Sequence, residues 1–338
     1  MARFSLQVPK LDARDRKLAL SYAVDWVIAI ALAVIFFAVE KVPGYKRDFS
    51  LQDKTIQYPY AEVERVPNWA LAVICFASPA VLLPIINLLT VRSKWDFHIS
   101  WLGLVVSLSL TAVVSEVTKI TVGRPRPDMI SRCVPQPGST DPPFGLSTSD
   151  ICTADRNTYE FNDGWRSFPS GHSSLSFAGL GFLSFYLAGK LRLFDRQAYT
   201  FKVWLVITPL IGATLVAVSR TMDYRHHWQD VLSGSILGIV LSYLTYRQYY
   251  PPLHSADCHQ PYPPRVRFDE PILPTHRDVD DRSSLEMYGH TENGFSHSPY
   301  HDTSDEEERT ALTSQSRNTQ SGVDLGTKDA LSQSRPSI

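Results

Sequence analysis

The 338-residue chain carries 33 Lys and Arg against 34 Asp and Glu, a net charge of −1, so no global excess points to nucleic acid or a charged partner. Its mean hydropathy of −0.11 has the value of a water-soluble protein. That average joins two unlike parts, because the apolar residues are concentrated before about residue 250 and the remainder is polar.

Residues 1–17 are polar and basic, and the apolar run behind them is long enough to span a bilayer and has no cleavage site of small residues after it. They are expected to form a cytosolic tail before a signal-anchor helix. Six candidate spans follow, at residues 18–39, 69–89, 99–117, 173–188, 203–218 and 231–246. The last three lie at or below the lower limit of about 17 residues and must recruit flanking residues. The expected fold is therefore all-α, a six-span transmembrane helical bundle over residues 18–250. A soluble helical core is the alternative, but six such runs leave too little amphipathic surface for one.

Pro79 and Pro84 fall inside the second span, where neighbouring helices can satisfy the freed carbonyls. Asp25 in the first span reads as a bundle-facing or snorkelling carboxylate. Glu116, three residues before Lys119, reads as a local ion pair. Cys75 reads as a plain core residue, Cys258 falls in the polar tail, and no cysteine pair has metal-ligand spacing. Residues 128–165 are rich in Pro, Asp, Ser and Thr and show no period, which fits either a lid or a spacer. Residues 251–338 read as a disordered tail, with too few apolar residues to pack on the bundle and dispensable for catalysis. The acidic run at 302–308 reads as solvated chain, with phosphorylation at Thr303 or Ser304 as the alternative.

Three segments carry chemistry. Ser219-Arg220 is followed by His226 and, four residues on, Asp230. On a helix that spacing puts ring and carboxylate on one face, so Asp230 can hold one ring nitrogen and leave the other as nucleophile or base. His227, three residues from Asp230, fits nearly as well, and the residues alone leave the choice open. In Pro169-Ser170-Gly171-His172, Ser170 is a helix N-cap, Gly171 lets backbone approach a ligand, and His172 sits beside an anion-binding helix start. Taken alone, these four residues read as an ordinary capped helix. Lys119 and Arg126 flank a turn forced by Gly123, Pro125 and Pro127. They read in isolation as snorkelling anchors, and with Arg220 as a three-cation cradle for a phosphate.

Counting crossings puts all three segments on one membrane face and both termini on the other. The terminal side holds Arg3, Lys10, Arg14, Arg16 and Lys17, then Arg92 and Lys94, then Lys190, Arg192, Arg196 and Lys202. By the positive-inside bias this side is expected to be cytosolic, and the site lumenal or extracellular. Cys133 and Cys152 flank the loop on that oxidising face, so a disulfide is expected between them, the alternative being two free thiols.

The patterns K-x6-RP from Lys119, PSGH from Pro169 and SR-x5-H-x3-D from Ser219 resemble, without departure and in order, the motifs of the type 2 phosphatidic acid phosphatase superfamily. The resemblance covers residues 18–246. Within the superfamily, the context of the first and third motifs looks most like fungal diacylglycerol pyrophosphate phosphatases and animal lipid phosphate phosphatases. It implies metal- and cofactor-free hydrolysis of membrane lipid phosphates such as phosphatidate, diacylglycerol pyrophosphate or lysophosphatidate. It selects His226 over His227 as a nucleophile forming phosphohistidine, with Asp230 orienting it and His172 as acid and base. It also selects Arg126 over Arg124, so that Lys119, Arg126, Ser170, Gly171 and Arg220 hold the phosphoryl oxygens. A phosphotransferase or a sphingoid-base phosphate phosphatase would use the same site. The related vanadium haloperoxidases are soluble, a scaffold would tolerate loss of motif residues, and a transporter would need polar residues in mid-span.

Overall fold

The computed structural model describes residues 13–265, apart from 196 and 198. The described residues are mostly helical, and no strand forms among them. Helix α1 is Ala13–Val39; α2, Asn68–Ala72, runs through a π turn at Val73–Ala77 into α3, Ser78–Leu89. Then come α4, Lys94–Val122, two short helices α5, Met129–Cys133, and α6, Tyr159–Asp163, and three long ones: α7, Gly171–Lys190; α8, Thr200–Met222; and α9, Trp228–Tyr249.

Among the described residues, four stretches are long and apolar enough to cross a membrane: Leu20–Val39, Asn68–Leu89, Lys94–Val122 and Thr200–Met222. The fourth and sixth expected spans are also long helices, α7 of 20 residues and α9 of 22, but they are more polar. The reason lies in their packing. Helix α7 is wrapped by α3, α4, α8 and α9. Ser173, Ser174, Ser176 and Ser184 are buried along it, and each bonds a carbonyl or another hydroxyl. A helix that faces protein on all sides needs small interlocking residues rather than apolar ones. The π turn precedes Pro79, whose ring nitrogen has no hydrogen for the carbonyl of Cys75, so the irregular turn falls where the ladder is broken.

At the end of the bundle away from the three motifs, Asp96 in the first turn of α4 is fully buried. Its carboxylate accepts from Lys190 Nζ at 2.6 Å, Tyr186 at 2.6 Å, Asn87 at 2.6 Å and Tyr250 at 3.0 Å. Removing one partner from a buried pair so saturated costs about 3–5 kcal/mol.

Residues 251–265, assigned to the tail by composition, pack on this same end. Cys258 is buried, Lys190 Nζ donates to the carbonyl of His259 at 2.6 Å, and Trp95 Nε1 to that of Tyr262 at 3.0 Å. Arg265 pairs with Asp25 at 2.7 Å, which gives the intramembrane carboxylate its partner. The attachment relies on backbone carbonyls and long polar side chains, so a count of apolar residues misses it. The acidic run at 302–308 lies outside the described residues.

Over the motif end, residues 40–67 and 123–170 form an ordered cap rather than a shapeless loop. Phe49, Ile56, Met129, Phe161 and Trp165 bury one another, and Trp165 Nε1 donates to the carbonyl of Arg47 at 3.0 Å. Cys133 and Cys152 are joined in a disulfide with Cα atoms 4.7 Å apart. A bridge between cysteines 19 residues apart contributes about 3 kcal/mol by restricting the unfolded chain. Peptide mapping without reduction is expected to recover the two cysteines linked, and Cys133→Ser/Cys152→Ser to unfold at lower temperature by that order of free energy. Ready labelling of both thiols in unreduced protein would contradict the bridge.

Candidate active site

The three motifs meet where α4 ends and where α7 and α9 begin. Gly123 closes α4 at φ 59°, and a Cβ there would lie 2.2 Å from the carbonyl oxygen of Tyr45, so only glycine permits the turn. The chain then runs along residues 164–167: Arg126 N donates to the carbonyl of Gly164 at 2.8 Å and Ser167 N to that of Arg124 at 3.1 Å. Ser170 caps α7 through its hydroxyl, and its backbone N–H donates to the carbonyl of Asp230 at 3.0 Å, joining the second motif to the third.

His226 is buried in the turn before α9. Its Nδ1 lies 2.6 Å from the carbonyl oxygen of Ser167. A carbonyl only accepts, so Nδ1 carries the hydrogen and Nε2 keeps its lone pair. Nε2 lies 3.4 Å from Arg126 Nη1. Burial and then the charges of Arg126 and Lys119 hold the imidazole well below its ordinary pKa, so the ring stays neutral. Arg126 is held in turn by Asp163, through Nη2 at 2.7 Å to the carboxylate and Nε at 2.8 Å to the backbone carbonyl. Burial opposes the charge on Asp163, but Arg126 and Arg132 outweigh it and keep the carboxyl below its usual range.

Lys119 Nζ pairs with Glu116 at 2.9 Å, as the spacing predicts, and Glu116 also meets Arg166 at 3.4 Å. The ammonium abuts α7 so closely that a Cβ on Gly171 would lie 2.9 Å from it. A larger residue there would push the cation away from the free N–H groups of the helix start. Arg220, almost fully buried, meets Glu64 at 2.7 Å and Asp223 at 3.1 Å. His172 Nε2 donates to the carbonyl of Val66 at 2.9 Å.

The expected contact between Asp230 and His226 gives way to a different one. Asp230 Oδ1 accepts from Arg124 at 2.6 Å; Oδ2 accepts from Ser167 Oγ at 2.5 Å and from the backbone N–H of His227 at 3.1 Å, with His227 Nδ1 at 3.3 Å. The i,i+4 spacing requires both residues in one helix, but α9 begins only at Trp228, so His226 lies in the preceding turn. Asp230 therefore reaches His226 through Ser167, whose hydroxyl binds the carboxylate and whose carbonyl binds the ring. Ser167, Asp163 and Glu64 were not singled out by sequence reasoning, and Arg124 entered it only as the alternative to Arg126. Ser167 stands two residues before the second motif, where only its position beside the motif hints at a role.

The arrangement offers an unprotonated imidazole nitrogen beside a guanidinium, with an ammonium and a helix N-terminus nearby. Such a site suits an anionic electrophile whose oxygens need neutralising while its centre is attacked. Comparison with known proteins agrees with this chemistry. The family profile described as "PAP2 superfamily" matches residues 100–252. The chain is 42% identical over 238 residues to "Probable diacylglycerol pyrophosphate phosphatase 1" of Schizosaccharomyces pombe, covering 70% of this chain and 83% of that relative. It is 35% identical over 262 residues to "Lipid phosphate phosphatase 2" of Arabidopsis thaliana, covering 77% and 87%. It is 38% identical over 233 residues to "Diacylglycerol pyrophosphate phosphatase 1" of Saccharomyces cerevisiae, covering 68% and 80%. No solved structure matches. With three motifs in register and relatives aligned over most of their length, the chain belongs to the PAP2 superfamily.

Proposed function

We propose that the protein is an integral membrane phosphatase that hydrolyses lipid phosphomonoesters or pyrophosphates through a phosphohistidine. The observation that carries this reading is the His226 ring, held at Nδ1 by the Ser167 carbonyl and presenting Nε2 beside Arg126. In the first step Nε2 attacks phosphorus and the bond from phosphorus to the leaving oxygen breaks. His172, entering this step as the imidazolium, gives that oxygen a proton and is left neutral. In the second step His172 takes a proton from water, the water oxygen attacks phosphorus, and the P–N bond breaks to release inorganic phosphate. Lys119, Arg126, Arg220 and the N–H groups at Ser170 and Gly171 balance the charge on the phosphoryl oxygens. Those side-chain cations supply the neutralisation that a divalent ion supplies in other phosphatases.

The relatives' names, which include both diacylglycerol pyrophosphate phosphatase and lipid phosphate phosphatase, support a lipid substrate. The lengths of α7 and α9, about 30 Å at 1.5 Å per residue, support counting them as the fourth and sixth crossings of a six-span bundle. With six crossings the basic clusters put both termini in the cytosol and the site on the lumenal or extracellular face.

The test is phosphate release by purified protein from phosphatidate, diacylglycerol pyrophosphate, lysophosphatidate and a sphingoid-base phosphate, with excess chelator present. Hydrolysis is expected to persist in chelator and to be inhibited by vanadate, which can mimic pentacoordinate phosphorus. Activity abolished by chelator and restored by Mg²⁺ would refute the mechanism.

A further inference from the structure

We propose that Glu64 is a resident stand-in for the substrate's phosphate, carried on a lid of residues 61–66 that must leave the site before a phosphoryl group enters. The proposal rests on the phosphatase reading above and adds a gate to it. Three consecutive residues of the segment hold the site. Glu64 Oε2 accepts from Arg220 Nη1 at 2.7 Å while Oε1 lies 3.2 Å from Arg225 Nη2. Arg65 N donates to Asp223 Oδ2 at 2.9 Å, and its guanidinium pairs with the same carboxylate. The Val66 carbonyl accepts from His172 Nε2 at 2.9 Å. A fourth tie runs from Arg225 Nη2 to the carbonyl of Ala61 at 3.0 Å. One short stretch thus occupies both a cation of the phosphate cradle and the ring that must serve the leaving group.

A carboxylate bridging two guanidinium groups offers them what two phosphoryl oxygens offer. Arg220 and Arg225 are both buried, and Asp223, which pairs with Arg220, is shared with Arg65, so an empty site leaves buried positive charge for a further anion to balance. The rival reading makes Glu64 a buttress that orients Arg220. Arg220 is already fixed from its own helix, by Asp223 at 3.1 Å and by Ser219 Oγ at 3.1 Å, and does not need Glu64 for that. The segment has no regular secondary structure, and its tip is unpacked, with Val63 85% exposed. The Glu64 side chain is itself 27% exposed, so it has a way out to water. Its anchors are polar contacts that water can replace.

The experiment compares full-chain wild type with Glu64→Gln, using inorganic phosphate as competitive inhibitor of lipid phosphomonoester turnover. The inhibition constant and KM are expected to fall about tenfold, with kcat within about twofold, the order set by one charge-assisted hydrogen bond that no longer has to be broken. Constants that stay the same or rise would overturn the gate and make Glu64 a buttress. If Glu64→Gln does not accumulate as folded protein, Arg65→Gln loosens the segment from Asp223 while leaving Glu64 and the cradle's own residues unchanged. It should lower the phosphate constant in the same direction, and a constant that is unchanged or raised, with kcat retained, would count against the gate. A wild-type protein that binds inorganic phosphate but hydrolyses no lipid phosphate would refute the phosphatase reading. The gate would then be judged by direct phosphate binding, which Glu64→Gln must tighten.

Discussion

His226→Ala is expected to abolish turnover, lowering kcat by at least about 10⁴-fold, the scale on which loss of a nucleophile acts in other covalent mechanisms. His227→Ala should retain activity within about tenfold, because the neighbour's tie to Asp230 is mainly its backbone N–H at 3.1 Å, which alanine keeps. The two rings are adjacent in sequence but differently placed. Only His226 is anchored at Nδ1 with Nε2 beside a cation of the cradle. The same geometry predicts the pH dependence. His226 is held well below the ordinary histidine pKa, so it stays neutral and nucleophilic as the pH falls. The acid limb of kcat/KM that belongs to the enzyme should therefore lie below about 6.5, once the substrate's own ionisation near pH 6 is divided out. A dead His227→Ala beside an active His226→Ala would show that the wrong ring has been assigned. An acid limb at or above the ordinary value would show that the ring is not buried beside these cations in solution.

How much of this was legible in the sequence follows from which contacts are local. Lys119 with Glu116, and Ser170 as the cap of α7, depend on spacing along one helix and could be read directly. The bundle was legible wherever helices carry enough apolar residues to face lipid, as α1, α3 and α8 do. It was weakest at α7 and α9, whose serines and glycines answer to other helices. The cap over the site was not legible as structure. Its order comes from contacts such as Trp165 to Arg47 and Arg126 to Asp163, between segments that share no periodicity. Residues 251–265 were misread for a related reason. Their composition resembles disordered chain, but Cys258, Tyr262 and Arg265 each find a partner on the bundle that composition does not record.

Asp230→Asn is expected to lower kcat by about 10²–10³-fold, less than the roughly 10⁴-fold cost of losing a carboxylate that holds a catalytic histidine directly. Asp230 accepts from Arg124, Ser167 and the His227 backbone at once, with its side chain fully buried. Asparagine would replace one acceptor by a donor facing donors, so the Ser167 tether would weaken and the carbonyl that fixes His226 would wander. Ser167→Ala removes the hydroxyl but leaves that carbonyl in the backbone, so it should cost only about tenfold. The decisive measurement is the double variant. If Asp230 works through Ser167, Ser167→Ala in the Asp230→Asn background should add almost nothing, because the link is already broken. If Asp230 instead orients His226 by direct contact during turnover, the two losses should multiply and Asp230→Asn alone should reach the larger figure. A pure stability defect would show as a lower unfolding temperature with kcat per folded molecule unchanged. A positioning defect leaves KM near wild type and appears in kcat, because the imidazole is misaligned for attack while the phosphate cradle of Lys119, Arg126 and Arg220 is intact.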